Sequence, residues 1–187
     1  MEIITVLLII AIATIIVGAS LLKSSSVIPI KTPPVNHNIS KITEDVYITD
    51  GNNAMDYGYL KHQGIKQILI VGKELPRHGD MYFKVYHIKI EDKPEENIKK
   101  YYNSAFNFIK KNRTLIHCTS GTSRSVAIAA SYLMRSRSIT LDESLKLIRQ
   151  QRPNAKPNTG FMAQLKQYEA ELTKKTDDDD DSNSETP

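Results

Sequence analysis

A chain of 187 residues with a single cysteine, Cys118, can hold neither a disulfide framework nor a cysteine-rich zinc site. It carries 25 Lys and Arg against 21 Asp and Glu, a formal net charge of +4, and six of those acids lie in residues 177–187. The body of the chain is therefore more basic than the total shows. That suits anionic substrates or an anionic membrane leaflet, and charge alone does not select nucleic acid, so no nucleic-acid partner is expected.

Ile3 to Leu22 contains no charged residue and is mostly Ile, Leu, Val and Ala. As a helix it would span roughly 30 Å, the thickness of a bilayer's hydrocarbon core. A cleaved signal peptide is the rival reading, but Met1-Glu2 lacks the positive start such peptides carry. Residues 1–22 are thus predicted to be a transmembrane anchor. Glu2 precedes the span and Lys23, Lys31 and Lys41 follow it, so the positive-inside rule turns the rest of the chain toward the cytosol. A free thiol also fits a reducing compartment. Residues 23–40, with Pro29, Pro33 and Pro34, read as a flexible juxtamembrane linker.

Strand and helix signals then alternate. Val46-Tyr47-Ile48 and Gln67 to Val71 read as strands around a helix near Ala54 to His62. Phe83 to Ile90 alternates as a half-buried strand. Pro94 is predicted to open a helix that runs to Lys111, with Glu95 and Glu96 in its first turn. Asp92 falls on the loop between them, where a mobile acid could swing over a site. Thr114-Leu115-Ile116 is a short buried strand, and Ser125 to Met134 is apolar almost all round, as a buried helix is. Thr140-Leu141-Asp142-Glu143 is a capping box opening the next helix, and Pro153 ends it. Phe161, Leu165, Tyr168 and Leu172 recur at helical spacing in the last one, a core stripe. The alternation gives an α/β fold, a central mostly parallel sheet flanked by helices, behind the transmembrane helix. Residues 174–187, with five aspartates from Asp177 to Asp181, are predicted to be a disordered acidic tail.

The chemistry is concentrated in residues 117–125, His-Cys-Thr-Ser-Gly-Thr-Ser-Arg-Ser. A thiolate is the nucleophilic form of cysteine, and a loop entering a helix N-terminus turns N–H groups toward an anion. Arg124, six positions after Cys118, supplies a planar, permanently charged fork for phosphate oxygens. The other histidines (His37, His62, His78 and His87) lack ligand spacing and read as packing or solvated residues.

His-Cys-x5-Arg-Ser resembles the cysteine-dependent protein phosphatases, specifically the dual-specificity branch. Ala130-Ser131-Tyr132-Leu133-Met134 is similar to that family's post-loop helix, and Arg152 to Leu165 to its Arg-Pro…Pro-Asn-x-x-Phe-x-x-Gln-Leu stretch. The resemblance spans roughly residues 41–173, which would form the catalytic domain. It implies Cys118 as nucleophile and Thr119, Ser120, Gly121, Thr122, Ser123 and Arg124 as the phosphate cradle. Ser125 would assist departure of the thiolate, Asp92 would be general acid and base, and His117 and Asn158 would support them. The Asp92–Cys118 interval is a few residues shorter than the family's, trimmed around Lys110 to Arg113, which leaves Glu91 or Asp80 as alternative acids. The implied reaction needs no metal or other cofactor, and its partners are phosphorylated proteins. Phosphoinositide phosphatases, RNA 5′-phosphatases and phosphoprotein-binding modules of the same superfamily are the other readings.

Overall fold

The computed structural model describes residues 38–181, with side chains through Lys174. The predicted anchor and most of the linker lie outside the described residues. Among those described, no helix is long and apolar enough to cross a membrane.

Five strands form one sheet in the order β1-β2-β5-β3-β4: β1 Ser40–Lys41, β2 Val46–Thr49, β3 Gln67–Val71, β4 Lys84–Ile88 and β5 Thr114–His117. The β2–β5, β3–β5 and β3–β4 pairings are parallel and the β1–β2 edge is antiparallel, so the sheet is mixed. Among the described residues five α-helices accompany it: α1 Tyr57–His62, α2 Tyr102–Ile109, α3 Arg124–Arg137, α4 Leu141–Gln151 and α5 Thr159–Asp181.

Strand periodicity sorts the apolar residues between two layers. Tyr47, Ile68, Ile70 and Leu115 face one way and pack with Leu60 of α1. Val46, Ile48, Leu69, Val71 and Ile116 face the other and form the main core with Tyr102, Ala127, Leu133, Leu145, Phe161 and Leu165 of the remaining helices. Every residue of β2, β3 and β5 is buried, as parallel strands covered on both faces require. Central β5 thereby aims its carboxyl end, Thr114 to His117, at the loop that follows.

Several boundaries differ from the sequence expectation. The helix predicted from Pro94 starts at Tyr102, behind a 3-10 turn at Lys99–Tyr101. Tertiary contacts claim the earlier backbone. Gln164 donates to the Glu96 carbonyl at 2.8 Å and accepts from Lys99 N at 3.0 Å, and a Cβ on Gly160 would collide with the Pro94 backbone. The strand predicted over Phe83 to Ile90 is only Lys84–Ile88, because the Ile90 carbonyl turns to Lys73 N and to Arg124. The predicted helix near Ala54 is a 3-10 turn, Asn53–Met55, followed by α1 capped by Asp56. Ser40, assigned to the linker, belongs to β1 and pairs with Ile48. At the other end, α5 runs through Asp181, so the expected disordered tail is helical to that point; its packed turns carry the helix onward from Leu172. The capping box is present, with Thr140 Oγ1 accepting from Glu143 N and the Glu143 carboxylate accepting from Thr140 N.

Phe161 is fully buried between α5 and the main core. Phe161→Ala should lower the unfolding free energy by about 3–5 kcal/mol in urea titrations followed by circular dichroism. A loss below about 1 kcal/mol would mean that α5 does not anchor the core as placed.

Candidate active site

Gly121 makes the turn of the loop, with φ +69°, and has no room for a side chain between the Thr49 carbonyl and the Arg152 guanidinium. The carbonyls of Thr119 to Ser123 each have a donor. Thr119 O accepts from Gly51 N at 3.1 Å, and Thr122 O accepts from Lys156 N at 2.8 Å. Gly121 O and Ser120 O accept from Arg152 Nε and Nη2 at 2.5 and 3.2 Å. Ser123 O accepts from Ala127 N at the start of α3. A trans peptide places its N–H opposite its carbonyl, so the same planes turn their N–H groups inward. Gly121 N accordingly donates to Cys118 Sγ at 3.2 Å.

Cys118 is buried, with Ser125 Oγ 3.3 Å from its sulfur on the first turn of α3. Arg124, whose side chain is only 5% exposed, points its fork at Glu74: Nη1 lies 2.8 Å from Oε2 and Nη2 lies 2.6 Å from Oε1. Nη2 also donates to Thr119 Oγ1 at 3.0 Å and Nη1 to Ile90 O at 3.2 Å. Nε is buried without a hydrogen bond, with Asp92 Oδ2 3.7 Å away. Hydrogen bonding from Arg124 holds the Glu74 carboxyl at a pKa of about 2, so it is an anion throughout the neutral range. Two of the arginine's three nitrogens are thereby held in place, and the third faces Asp92.

The structure brings Asp92 to the loop and leaves the alternative acids away from it. Asp92 Oδ1 accepts from Ser123 Oγ at 2.7 Å and from Asn158 Nδ2 at 2.8 Å. Glu91 bridges Lys73 and Lys93, and Asp80 pairs with Arg77. Asn158 meanwhile caps α5, its Oδ1 accepting from Phe161 N at 2.9 Å, so one side chain ties the acid to the last helix. The acid expected to be mobile is held by two donors.

Behind Cys118, His117 Nε2 lies 3.0 Å from His78 Nε2, and His78 Nδ1 lies 3.1 Å from the Tyr57 hydroxyl. Burial, with the charge of His78 second, pushes the His117 pKa down to about 3, and burial also lowers that of His78. His117 is thus a neutral support. Glu74, His78 and Arg152 are the contacting residues that sequence reading did not place here. Glu74 and His78 lie on the connection between β3 and β4, far from the loop in sequence, and carry no motif of their own. Among the described residues no group of three or more His, Cys, Asp or Glu is placed to hold a metal ion.

A glycine-turned loop between a central strand and a helix N-terminus, with cysteine first and arginine six residues on, defines the cysteine-dependent phosphatase class of site. The model of the dual specificity phosphatase catalytic domain matches residues 46–171, and the chain belongs to that family. Human dual specificity protein phosphatase 1 is 33% identical over 132 residues, 68% of this chain. The chain spans only 36% of that relative's length. Dual specificity protein phosphatase 1B of Arabidopsis thaliana is 31% identical over 142 residues, 72% of this chain and 84% of the relative. The crystal structure of DUSP15 superposes with a TM-score of 0.65 at 26% identity, covering 73% of this chain and 95% of that one. Human DUSP28, at 23% identity and a TM-score of 0.69, shares the fold over 76% of this chain and 97% of its own.

The neutral His117 has a consequence for stability. Its pKa falls from 6.5 to about 3 on folding, so below pH 6.5 the unfolded chain takes up a proton that the folded chain refuses. Stability present above pH 6.5 should therefore fall by about 1.4 kcal/mol per pH unit toward pH 3 from this group. Urea titrations across that window should show a shallower slope for His117→Asn, and an unchanged slope would contradict the assignment.

Proposed function

We propose that the protein is a membrane-tethered phosphatase that hydrolyses phosphotyrosine and phosphoserine or phosphothreonine through a cysteinyl-phosphate. The observation that carries this reading is the position of Cys118 Sγ. It sits at the base of a loop whose amides turn inward, between Gly121 N and Ser125 Oγ, with Arg124 at the rim.

In the proposed cycle, the inward amides and Arg124 Nε take the non-bridging oxygens of the phosphate, and Cys118 attacks phosphorus opposite the ester oxygen. Asp92, within reach of the loop through Ser123, protonates the departing oxygen and then accepts a proton from the attacking water. Ser125 Oγ, 3.3 Å from the sulfur, donates to the thiolate as it leaves in the second step. Glu74 keeps the Nη edge of Arg124 oriented during both steps.

The anchor reading rests on the uncharged run from Ile3 to Leu22 and the lysines after it. It places the catalytic domain on the cytosolic face of a membrane, joined by the juxtamembrane linker that begins at residue 23.

Cys118→Ser should abolish phosphate release from phosphotyrosyl and phosphoseryl peptides in reductant and EDTA. Asp92→Asn should lower kcat by about 10²-fold on a phosphoseryl peptide and far less on p-nitrophenyl phosphate, whose leaving group needs no proton. Release confined to a phosphoinositide or an RNA 5′-triphosphate would replace the substrate class, and equal losses on both leaving groups would remove Asp92 from the role. Deleting residues 1–22 should move the protein from the membrane pellet to the supernatant after alkaline carbonate extraction. A full-length protein already in the supernatant would end the anchor reading.

A further inference from the structure

Arg152 is a cation in an unusual setting. It is 2% exposed and heads the fully buried side chains of the described residues by volume. Each of its hydrogen bonds goes to a neutral acceptor. Nε donates to Gly121 O and Nη2 to Ser120 O, while Nη1 reaches Asn38 O and Oδ1 at 3.3 Å and Ser40 Oγ at 3.4 Å. Among the described residues no carboxylate lies within ion-pair distance of it. Burying a charge without a counter-ion costs several kcal/mol, and a neutral donor would satisfy the same carbonyls at less cost.

An anion nearby would offset that cost. Burial pushes the Arg152 pKa down, and the carboxylate that opposes this through charge is Asp50. Asp50 is already engaged, accepting from Asn53 N and Nδ2 and from Asn38 Nδ2. What remains is the site itself, the sulfur and any phosphate bound above it. The geometry of the loop points the same way. Ser120 O and Gly121 O are drawn outward by Arg152, and the opposite edge of the 120–121 peptide presents Gly121 N to Cys118 Sγ. The 121–122 peptide is held by Arg152 Nε through the Gly121 carbonyl, and trans geometry sends its N–H away from Arg152.

We propose that Arg152 is a positioning residue of the phosphate loop, orienting two of its peptide groups from outside and adding a second arginine's charge to the field on the bound anion. The inference rests on the phosphatase reading and adds to it a residue that never touches substrate. Arg124 binds phosphate from the rim, and Arg152 acts from beneath the loop, at the C-terminal cap of α4.

The test separates charge from packing in the full chain, purified in detergent micelles. Wild type, Arg152→Met, Arg152→Lys, Ser40→Asp and Ser40→Ala are compared for inhibition of p-nitrophenyl phosphate hydrolysis by inorganic phosphate, and for thermal midpoint. Arg152→Met should raise the phosphate inhibition constant and KM by about tenfold or more, and Arg152→Lys, which keeps the charge, should recover most of that loss. Ser40→Asp sets a carboxylate beside Nη1 and leaves the arginine in place, but it also removes the hydrogen bond that Ser40 Oγ donates to Gln151 O at 3.0 Å. Ser40→Ala, which loses the same bond without adding charge, is its control. Ser40→Asp should weaken phosphate several-fold relative to Ser40→Ala at a similar thermal midpoint, a combination that a purely structural arginine does not produce. If Arg152→Met does not fold, the two Ser40 variants decide alone. A phosphate constant within twofold of Ser40→Ala in folded Ser40→Asp would overturn the charge role. Should wild type release no phosphate at all, the phosphatase reading fails, and calorimetric binding of inorganic phosphate to the same proteins still decides the place of Arg152.

Discussion

A peptide group cannot offer its N–H to one side without sending its carbonyl to the other. The loop from Cys118 to Arg124 is built on that constraint. To face several amides toward an anion, it must find donors outside for the carbonyls of Thr119, Ser120, Gly121, Thr122 and Ser123. Those donors come from Gly51, Arg152, Lys156 and the first turn of α3. They belong to segments on three sides of the loop, so the sheet, α4 and the connection before α5 must be in register before the cradle exists. Gly121 is where the fit is tightest, because its positive φ lets the chain pass between Thr49 O and Arg152.

Charge in the site is arranged around the same loop. Arg124 is fixed by Glu74 on its Nη edge, and Asp92 stands off its Nε at 3.7 Å, held in turn by Ser123 and Asn158. Gln164 and Gly160 clamp the segment that carries Asp92 onto α5. The last helix is thus as much a part of the site as the loop is. Its buried stripe of Phe161, Leu165 and Tyr168 supplies the anchorage, and its cap residue Asn158 holds Asp92.

Apolar runs carried most of the fold into the sequence. Those of Val46 to Ile48 and Ile68 to Val71, and the longer one after Arg124, mark buried strands and a buried helix because burial on both faces leaves little choice of residue. The cysteine–arginine loop motif was equally legible, since Cys118, Gly121 and Arg124 are neighbours in the chain. The helix forecast from Pro94 to Lys111 failed at its first turn for a reason invisible locally. Gln164, more than sixty residues later, takes the backbone groups that a first turn would have used. The sheet's antiparallel edge was missed because β1 is two residues long and defined only by pairing with β2.

By itself, then, the chain determined the order of elements, the loop with its cysteine and arginine, and a carboxylate at Asp92 on the connection before it. Such features depend on local spacing and on which residues tolerate burial. Only the tertiary structure decided which of three carboxylates meets the loop, that Glu74 orients Arg124, that His78 lies against His117, and that Arg152 holds the loop from beneath. Each of these is a contact between segments brought together by the parallel crossovers of the sheet and the packing of α4 and α5. A polar side chain's partner is a matter of distance in space, and no local pattern records it.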